Sequence, residues 1–339
     1  TIYDAAAGTA GFLVGAYNHI RLQHSSDASI EEVEVDGKTI KRGLGDKLSK
    51  KEHAVLRTQT FYGNDVDGTM VHLATMNLML RGLPDVRILK RNALTQTMDR
   101  DRRAEFDLPL DGYDVILANP PFSGSIDAHR IVDDVRVGNA KKTEILFIKY
   151  MMNALKQGGR CGVVVPNGIV ETETKSYKEL RRQLLENNTL HAVMSLPSGV
   201  FQPYSNVKTS VLFFSKGGET NQVMFLHIDE DGYKLDAQHD TPIEADDLPV
   251  IRDAYNKRAN CLTKWNKRDT DVEWANKWWF AEREEIADNN YSLSASRYRP
   301  THHVDIEHES PVELIDELLG IEKMMQKELK ALRVNLTKV

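Results

Sequence analysis

Residues 114–122 read Asp-Val-Ile-Leu-Ala-Asn-Pro-Pro-Phe, an apolar run that ends in a polar, proline-rich turn. Val115 to Ala118 are apolar at successive positions, as expected of a strand covered on both faces. The run stops at Asn119, and Pro120 and Pro121 follow. Each proline removes a backbone N–H and fixes φ, so the strand ends in a rigid turn. The Asn119 amide oxygen and the Pro120 carbonyl can then converge as acceptors on one NH2 group. Phe122 offers a flat face to the ring that carries it. This arrangement fits an aromatic amine drawn out of a base stack. Its plainer reading is a rigid Pro-Pro turn. Alone the tetrapeptide is moderately specific; after a fourth strand, downstream of the motifs below, it is a strong signal.

Other strand candidates are residues 1–4, Thr60–Tyr62, Val86–Leu89, Arg160–Val165, His191–Leu196 and Thr209–Phe214. Helical periodicity occupies 10–20, 66–81, 143–156 and 175–187. Strands alternating with helices predict an α/β fold with a mainly parallel sheet. The last two strands are joined by SGVFQPYSNVK without a helix, which predicts an antiparallel pair at the sheet's end. Residues 22–58 are polar and turn-rich and read as an insertion or mobile loop; residues 123–142 are also loop-like. Three segments are expected: a catalytic domain over 1–217, an irregular extension over 218–300 and a helix over 301–339. The extension carries one hairpin at Val223–Ile228 and the aromatic run WANKWWF, read as a core or interface anchor. In the last segment Ser310, Pro311 and Glu313 form a helix start. Leu314, Leu318, Ile321, Met325, Leu329, Leu332 and Leu336 then follow at heptad-like steps. Such a stripe packs on its own domain or on a partner, and its strict seam favours the partner.

The chain has 339 residues, 41% of them apolar and 28% charged, the balance of a globular protein. It lacks an apolar run long enough for a membrane span and shows no signal peptide. Cys161 and Cys261 are too few and too far apart for a disulfide framework or thiolate zinc site, so a cytoplasmic protein without a metal centre is expected. His302, His303 and His308 read as a solvated loop. The net charge of −6 is uneven. Residues 1–217 hold 28 basic and 25 acidic side chains, whereas 218–339 hold 16 and 25. Phosphate neutralisation supplies most non-specific nucleic-acid affinity, so an acidic chain that acts on DNA needs a partner for much of its grip. The first residue is Thr1, and only three residues precede the first turn signal; a longer natural protein is expected.

Three more motifs carry chemistry. Asp4-Ala5-Ala6-Ala7-Gly8-Thr9-Ala10-Gly11-Phe12 runs from a strand end through small residues into a helix. Small residues let a ligand approach the backbone, and the helix start offers free N–H groups. The glycine spacing differs from G-x-G-x-x-G, which disfavours a nicotinamide cofactor. Asp65 ends the second strand, where a carboxylate can accept hydrogen bonds from two ribose hydroxyls; it can equally be a turn or cap residue. Asn92 follows the third strand. Its amide both donates and accepts and suits an adenine edge as well as it suits a turn.

With these motifs the chain resembles the amino-methyltransferases that use S-adenosylmethionine. Within them it is most similar to the modification subunit of type I restriction–modification systems, adenine-specific DNA methyltransferases. The resemblance also covers GGRCGVVVP at 158–166, LPSGVF at 196–201, VKTSVLFFSKG at 207–217 and NNYSLSASRY at 289–298. It implies a Rossmann-like sheet with a C-terminal helical extension. It assigns Asp4, Ala6, Gly8, Thr9, Ala10, Gly11 and Phe12 to the methionine-binding loop and Asp65 to the ribose; Asn92 and Asn119 are also expected beside the cofactor. Asn119, Pro120, Pro121 and Phe122 become the catalytic tetrapeptide. The implied reaction moves a methyl group to the N6 amine of a flipped adenine. The implied partners are double-stranded DNA, a specificity subunit, a second modification subunit and a restriction subunit. Ala5 stands where the family usually has Pro. The family also carries a helical N-terminal domain ahead of this point that closes over the cofactor; this sequence lacks it, so an incomplete cofactor pocket is expected. Two other readings remain: an amino-methyltransferase of RNA or of protein glutamine, and a non-catalytic assembly subunit that has kept the fold.

Overall fold

The computed structural model describes residues 1–35, 37–266 and 277–300, together with 315, 319 and 321–326. The chain begins with β1 (Ile2–Asp4) and α1 (Gly11–Gln23). The hairpin β2 (Ile30–Val35) and β3 (Lys38–Gly43), α2 (Lys50–Thr58), β4 (Phe61–Asp65), α3 (Gly68–Met79) and β5 (Arg87–Lys90) follow. Next come α4 (Arg100–Glu105), β6 (Tyr113–Ala118), α5 (Thr143–Ala154), β7 (Leu155–Pro166), α6 (Gly168–Glu171), α7 (Lys175–Glu186), β8 (Asn188–Ser195) and β9 (Thr209–Lys216). The rest comprises β10 (Gln222–His227), β11 (Asp231–Tyr233), β12 (Pro242–Asp246), α8 (Leu248–Asn256), α9 (Arg258–Asn266) and β13 (Trp278–Glu282). Two short helices, Arg283–Asp288 and Ala295–Tyr298, end this part.

Nine described strands form one sheet in the order β13-β10-β8-β9-β7-β6-β1-β4-β5. From β7 to β5 every pairing is parallel. The expected antiparallel pair exists, but β9 does not end the sheet. It inserts between β7 and β8, antiparallel to both. The sheet continues because β10 pairs parallel with β8, and β13 antiparallel with β10. Residues 218–300 read as irregular in sequence because β10 is covered on both faces and shows no alternation. Val223 and Phe225 enter one core, Met224 and Leu226 the other. Segment 22–58 likewise holds more order than a mobile loop. The β2–β3 ladder runs from Ile30↔Gly43 to Val35↔Lys38, and α2 starts with a Ser49–Glu52 capping box.

Each face of the sheet has its own helices. α5 and α7 bury Ile145, Ile148 and Leu184 against one face. α1 and α3 bury Leu13 and Leu78 against the other, and α8 and α9 continue that layer with Ile251 and Cys261. Of the WANKWWF run, Trp278, Trp279 and Phe280 are buried strand residues; Trp274 lies outside the described residues. Thr1–Arg299 is one compact unit and Pro300–Val339 another, so the boundary expected at 217 falls inside the first. In the second unit residues 315, 319 and 321–326 are helical, including Ile321 and Met325 of the stripe. The expected cap at Ser310 and the stripe residues Leu314, Leu318, Leu329, Leu332 and Leu336 lie outside the described residues, as do the three histidines. Among the described residues no helix is long and apolar enough to cross a membrane.

Candidate active site

Parallel pairing brings the C-terminal ends of β5, β4, β1 and β6 to one edge of the sheet. Register fixes their relative height: Asp4 lies opposite Gly63, Asp65 opposite Lys90, and Tyr3 opposite Ile116. The strand order reverses between β1 and β6, the place where open α/β sheets bind ligands. A cavity of about 490 Å³ opens there, lined by Ala6, Asp65, Asn92, Asn119 and Pro121 among others. Five residues nominated from four separate motifs thus line one cavity. Val66, Leu94 and Phe147 make much of the remainder apolar.

The other nominated residues stand elsewhere. Asp4 is 1% exposed and lies behind the wall, where its Oδ1 accepts from the Ala6 N–H at 3.1 Å. Gly8, Thr9, Ala10, Gly11 and Phe12 do not line this cavity. They form the turn beside it. Gly8 and Ala10 both adopt left-handed φ values, +52° and 66°, so the chain reverses within three residues before α1. The Gly8 N–H donates to Asp65 Oδ2 at 2.9 Å, which ties the turn to the carboxylate. Asn77 Nδ2 donates to the Thr9 carbonyl at 2.7 Å and anchors it from α3. Ala10 is buried and Phe12 exposed. Asp65 Oδ1 accepts from the Asp67 N–H at 3.0 Å. Each Asp65 oxygen therefore holds one backbone donor and keeps acceptor capacity for another.

Asn92 proves to be a turn residue that also lines the cavity. Its Oδ1 accepts from the Leu94 N–H at 3.0 Å, which leaves its NH2 group as the freer half of the amide. Pro120 is buried and Asn119 exposed, as a residue at a cavity mouth should be. Phe122 packs edge-on against Phe201, with ring centroids 5.6 Å apart. Phe201 was legible only as part of a family match, since a lone Phe in a Gly-Pro loop carries no local signal.

A buried polar chain behind the cavity escaped sequence reading altogether. The Tyr3 hydroxyl donates to Asn64 Oδ1 and lies 2.8 Å from the Tyr150 hydroxyl. Arg91 Nη1 donates to Tyr150 at 3.0 Å. Asn64 Nδ2 donates to the carbonyls of Ala5 at 3.0 Å and Arg91 at 3.3 Å, so it fixes the backbone on two sides of the cavity. Asn64 itself lines the cavity. The available signal was a lone amide in the strand Phe61–Asp65, whose first four residues are buried.

Burial pushes the Asp4 carboxyl up to about 7; the Ala6 N–H opposes this, and the Asp65 charge adds to it. The sign is set by proton uptake. Between about pH 4 and 7 the folded chain holds a proton that the unfolded chain has released, so stability falls as pH rises. Asp4→Asn removes this penalty. The variant is expected to gain stability over the parent above pH 7 and to lose that advantage toward pH 4. Urea unfolding across this range checks it; a pH-independent difference would remove Asp4 from the linkage.

The N-6 DNA methylase family pattern matches residues 1–307. The chain belongs to this family. The type I restriction enzyme EcoEI methylase subunit of Escherichia coli is 28% identical over 335 residues, 98% of this chain and 59% of that protein. The EcoKI methylase subunit of Escherichia coli K12 is 25% identical over 309 residues, 88% of this chain and 52% of its own length. A solved chain from a type I restriction–modification system superposes with a TM-score of 0.61 at 28% identity. That match covers all of this chain and 62% of the solved one. The chain therefore spans between about half and three fifths of these two methylase subunits. The family match, running from β1 to beyond Tyr298, takes in the strands of both the 1–217 and 218–300 segments.

Proposed function

We propose that this methylase-family chain carries the methyl-transfer site of a type I modification subunit. Its substrate is the N6 amine of an adenine flipped out of double-stranded DNA, and its methyl donor is S-adenosylmethionine. One observation carries the reading: Asn119 and Pro121 line the same cavity as Ala6, Asp65 and Asn92. The tetrapeptide and the nucleotide-type motifs are thus parts of one site. The residues fit the donor. A cavity of about 490 Å³ lies within the small-molecule range, Asp65 has acceptor capacity for ribose hydroxyls, and Leu94 and Phe147 offer apolar walls to a base.

When bound, S-adenosylmethionine supplies a methyl carbon on a sulfonium, already a good leaving group. The chain's task is placement and electrostatics. Asp65, held by the Gly8 and Asp67 amides, orients the ribose. Asp4 holds the loop through Ala6, and Gly8 to Phe12 flank the donor's methionine end. Asn119 and the Pro120 carbonyl accept hydrogen bonds from the two N–H groups of the target amine, which localises its lone pair and stabilises the positive charge that grows there; once methylated, the nitrogen sheds one proton to solvent. Pro120 and Pro121 keep these acceptors in place before the substrate arrives, so alignment is prepaid. Phe122, braced by Phe201, gives the extracted base a stacking face; extraction itself costs a few kcal/mol.

Duplex DNA, a specificity subunit, a second modification subunit and a restriction subunit are the proposed partners, in the cytoplasm. The net charge of −6 supports a partner that supplies phosphate contacts. Residues 301–339 are the proposed contact helix. Incubation of the protein and its specificity subunit with a methyl-tritiated donor tests the reading. Label on adenine N6 of duplex DNA is expected. Label on RNA or protein glutamine, or none at all despite bound donor, contradicts it.

A further inference from the structure

A second cavity, between α4 and α5, has no part in the proposed methyl transfer. It encloses about 310 Å³ and is lined by Arg91, Arg100 and Arg103 together with Asp111, Asp134 and Tyr150. Both aspartates are exposed, and Asp111 stands 3.8 Å from Arg100. Arg91 and Arg103 have no carboxylate within 4.0 Å among the described residues. Arg91 is 8% exposed. It donates to the Tyr150 hydroxyl and the Gln96 carbonyl, and its Nε has no partner. Arg103 donates to the Pro109 carbonyl at 2.9 Å and lies over the Tyr113 ring at 5.4 Å.

Neutral acceptors compensate a buried guanidinium poorly, because the loss of water penalises its full charge. An anion in the cavity offsets that cost. The arginine fork matches the paired oxygens of phosphate, and several forks can share one such group. We propose that this cavity binds a phosphate-bearing small molecule. Its volume lies at the low end for small-molecule pockets, suited to a phosphate with a compact organic group. The assignment stands apart from the methyl-transfer reading and survives that reading's failure.

Calorimetric titration of the chain with inorganic phosphate and with ribose phosphate tests it. Saturable binding of at least one probe is expected. The double variant Arg100→Gln with Arg103→Gln should weaken it by about tenfold or more, the worth of one lost charge-assisted contact. Both side chains lie toward the surface, and an unchanged melting transition shows that the fold persists. Arg91→Lys, which keeps the charge and loses the fork, should also weaken binding. Ribose phosphate bound without inorganic phosphate, and lost in the double variant, supports the site and shows that the organic group contributes. No saturable heat from either probe overturns the proposal, as does binding that both variants leave unchanged.

Discussion

In Asn119→Ala, methyl transfer is expected to vanish while donor binding stays largely intact. The amide oxygen is one of two acceptors proposed to meet the target amine, and the Pro120 carbonyl alone cannot accept from both of its N–H groups. Removing one preorganised group that stabilises developing charge costs about 10²–10³ in rate. Loss of alignment adds to this, because a misplaced amine no longer lies in line with the methyl carbon. Asn119 is exposed at the cavity mouth, so truncation leaves little void and the fold should persist. A tritium-transfer assay measures the rate, and calorimetric titration measures donor affinity. Full activity in the variant would remove Asn119 from its role.

Asp65→Ala should act on the other half of the site. Each charge-assisted hydrogen bond is worth about 1.5–3 kcal/mol. Two lost ribose contacts therefore raise the donor Kd by about 10²–10⁴. The substitution also frees the Gly8 N–H that now donates to Asp65 at 2.9 Å, so the turn before α1 loses a fixed point. Asp65→Asn keeps the shape and one acceptor oxygen and should fall between the parent and the alanine variant. The defect belongs in donor affinity: saturating donor should recover much of the rate in Asp65→Asn, whereas no concentration rescues Asn119→Ala. An unchanged Kd in Asp65→Ala would exclude the ribose assignment.

The parallel part of the sheet and the edge that carries the site were legible in sequence for a physical reason. Runs such as Val115–Ala118 are apolar throughout, and each ends abruptly at a residue with a backbone constraint or a polar side chain. Those ends must gather once the strands pair in parallel. The insertion of β9 between β7 and β8 was not legible, because an antiparallel return can close beside either neighbour with the same loop. β10 and β13 were hidden by burial on both faces, which erases alternation.

Within the site, residues at strand ends could be nominated because their chemistry is exposed by the turn that follows. Asn92 could not be decided, since the same amide that suits an adenine edge also makes the turn to Leu94. The Tyr3–Asn64–Tyr150–Arg91 chain joins residues far apart in sequence, and only the register of β1, β4 and α5 places them together. The six nominated residues of the first loop that stand outside the cavity, Asp4 and Gly8 to Phe12, show the limit of motif reading. A motif marks a turn, and the turn's side chains need not face the ligand.

A crystal structure of the protein with a non-reactive donor analogue and duplex DNA bearing the target adenine tests the gripping of the amine. The amine nitrogen is expected at about 2.7–3.2 Å, hydrogen-bonding distance, from both Asn119 Oδ1 and the Pro120 carbonyl oxygen, with the base stacked on Phe122. An amine held by other groups, with the Asn119 amide turned out of the cavity that Asp65 and Asn92 share, would contradict it.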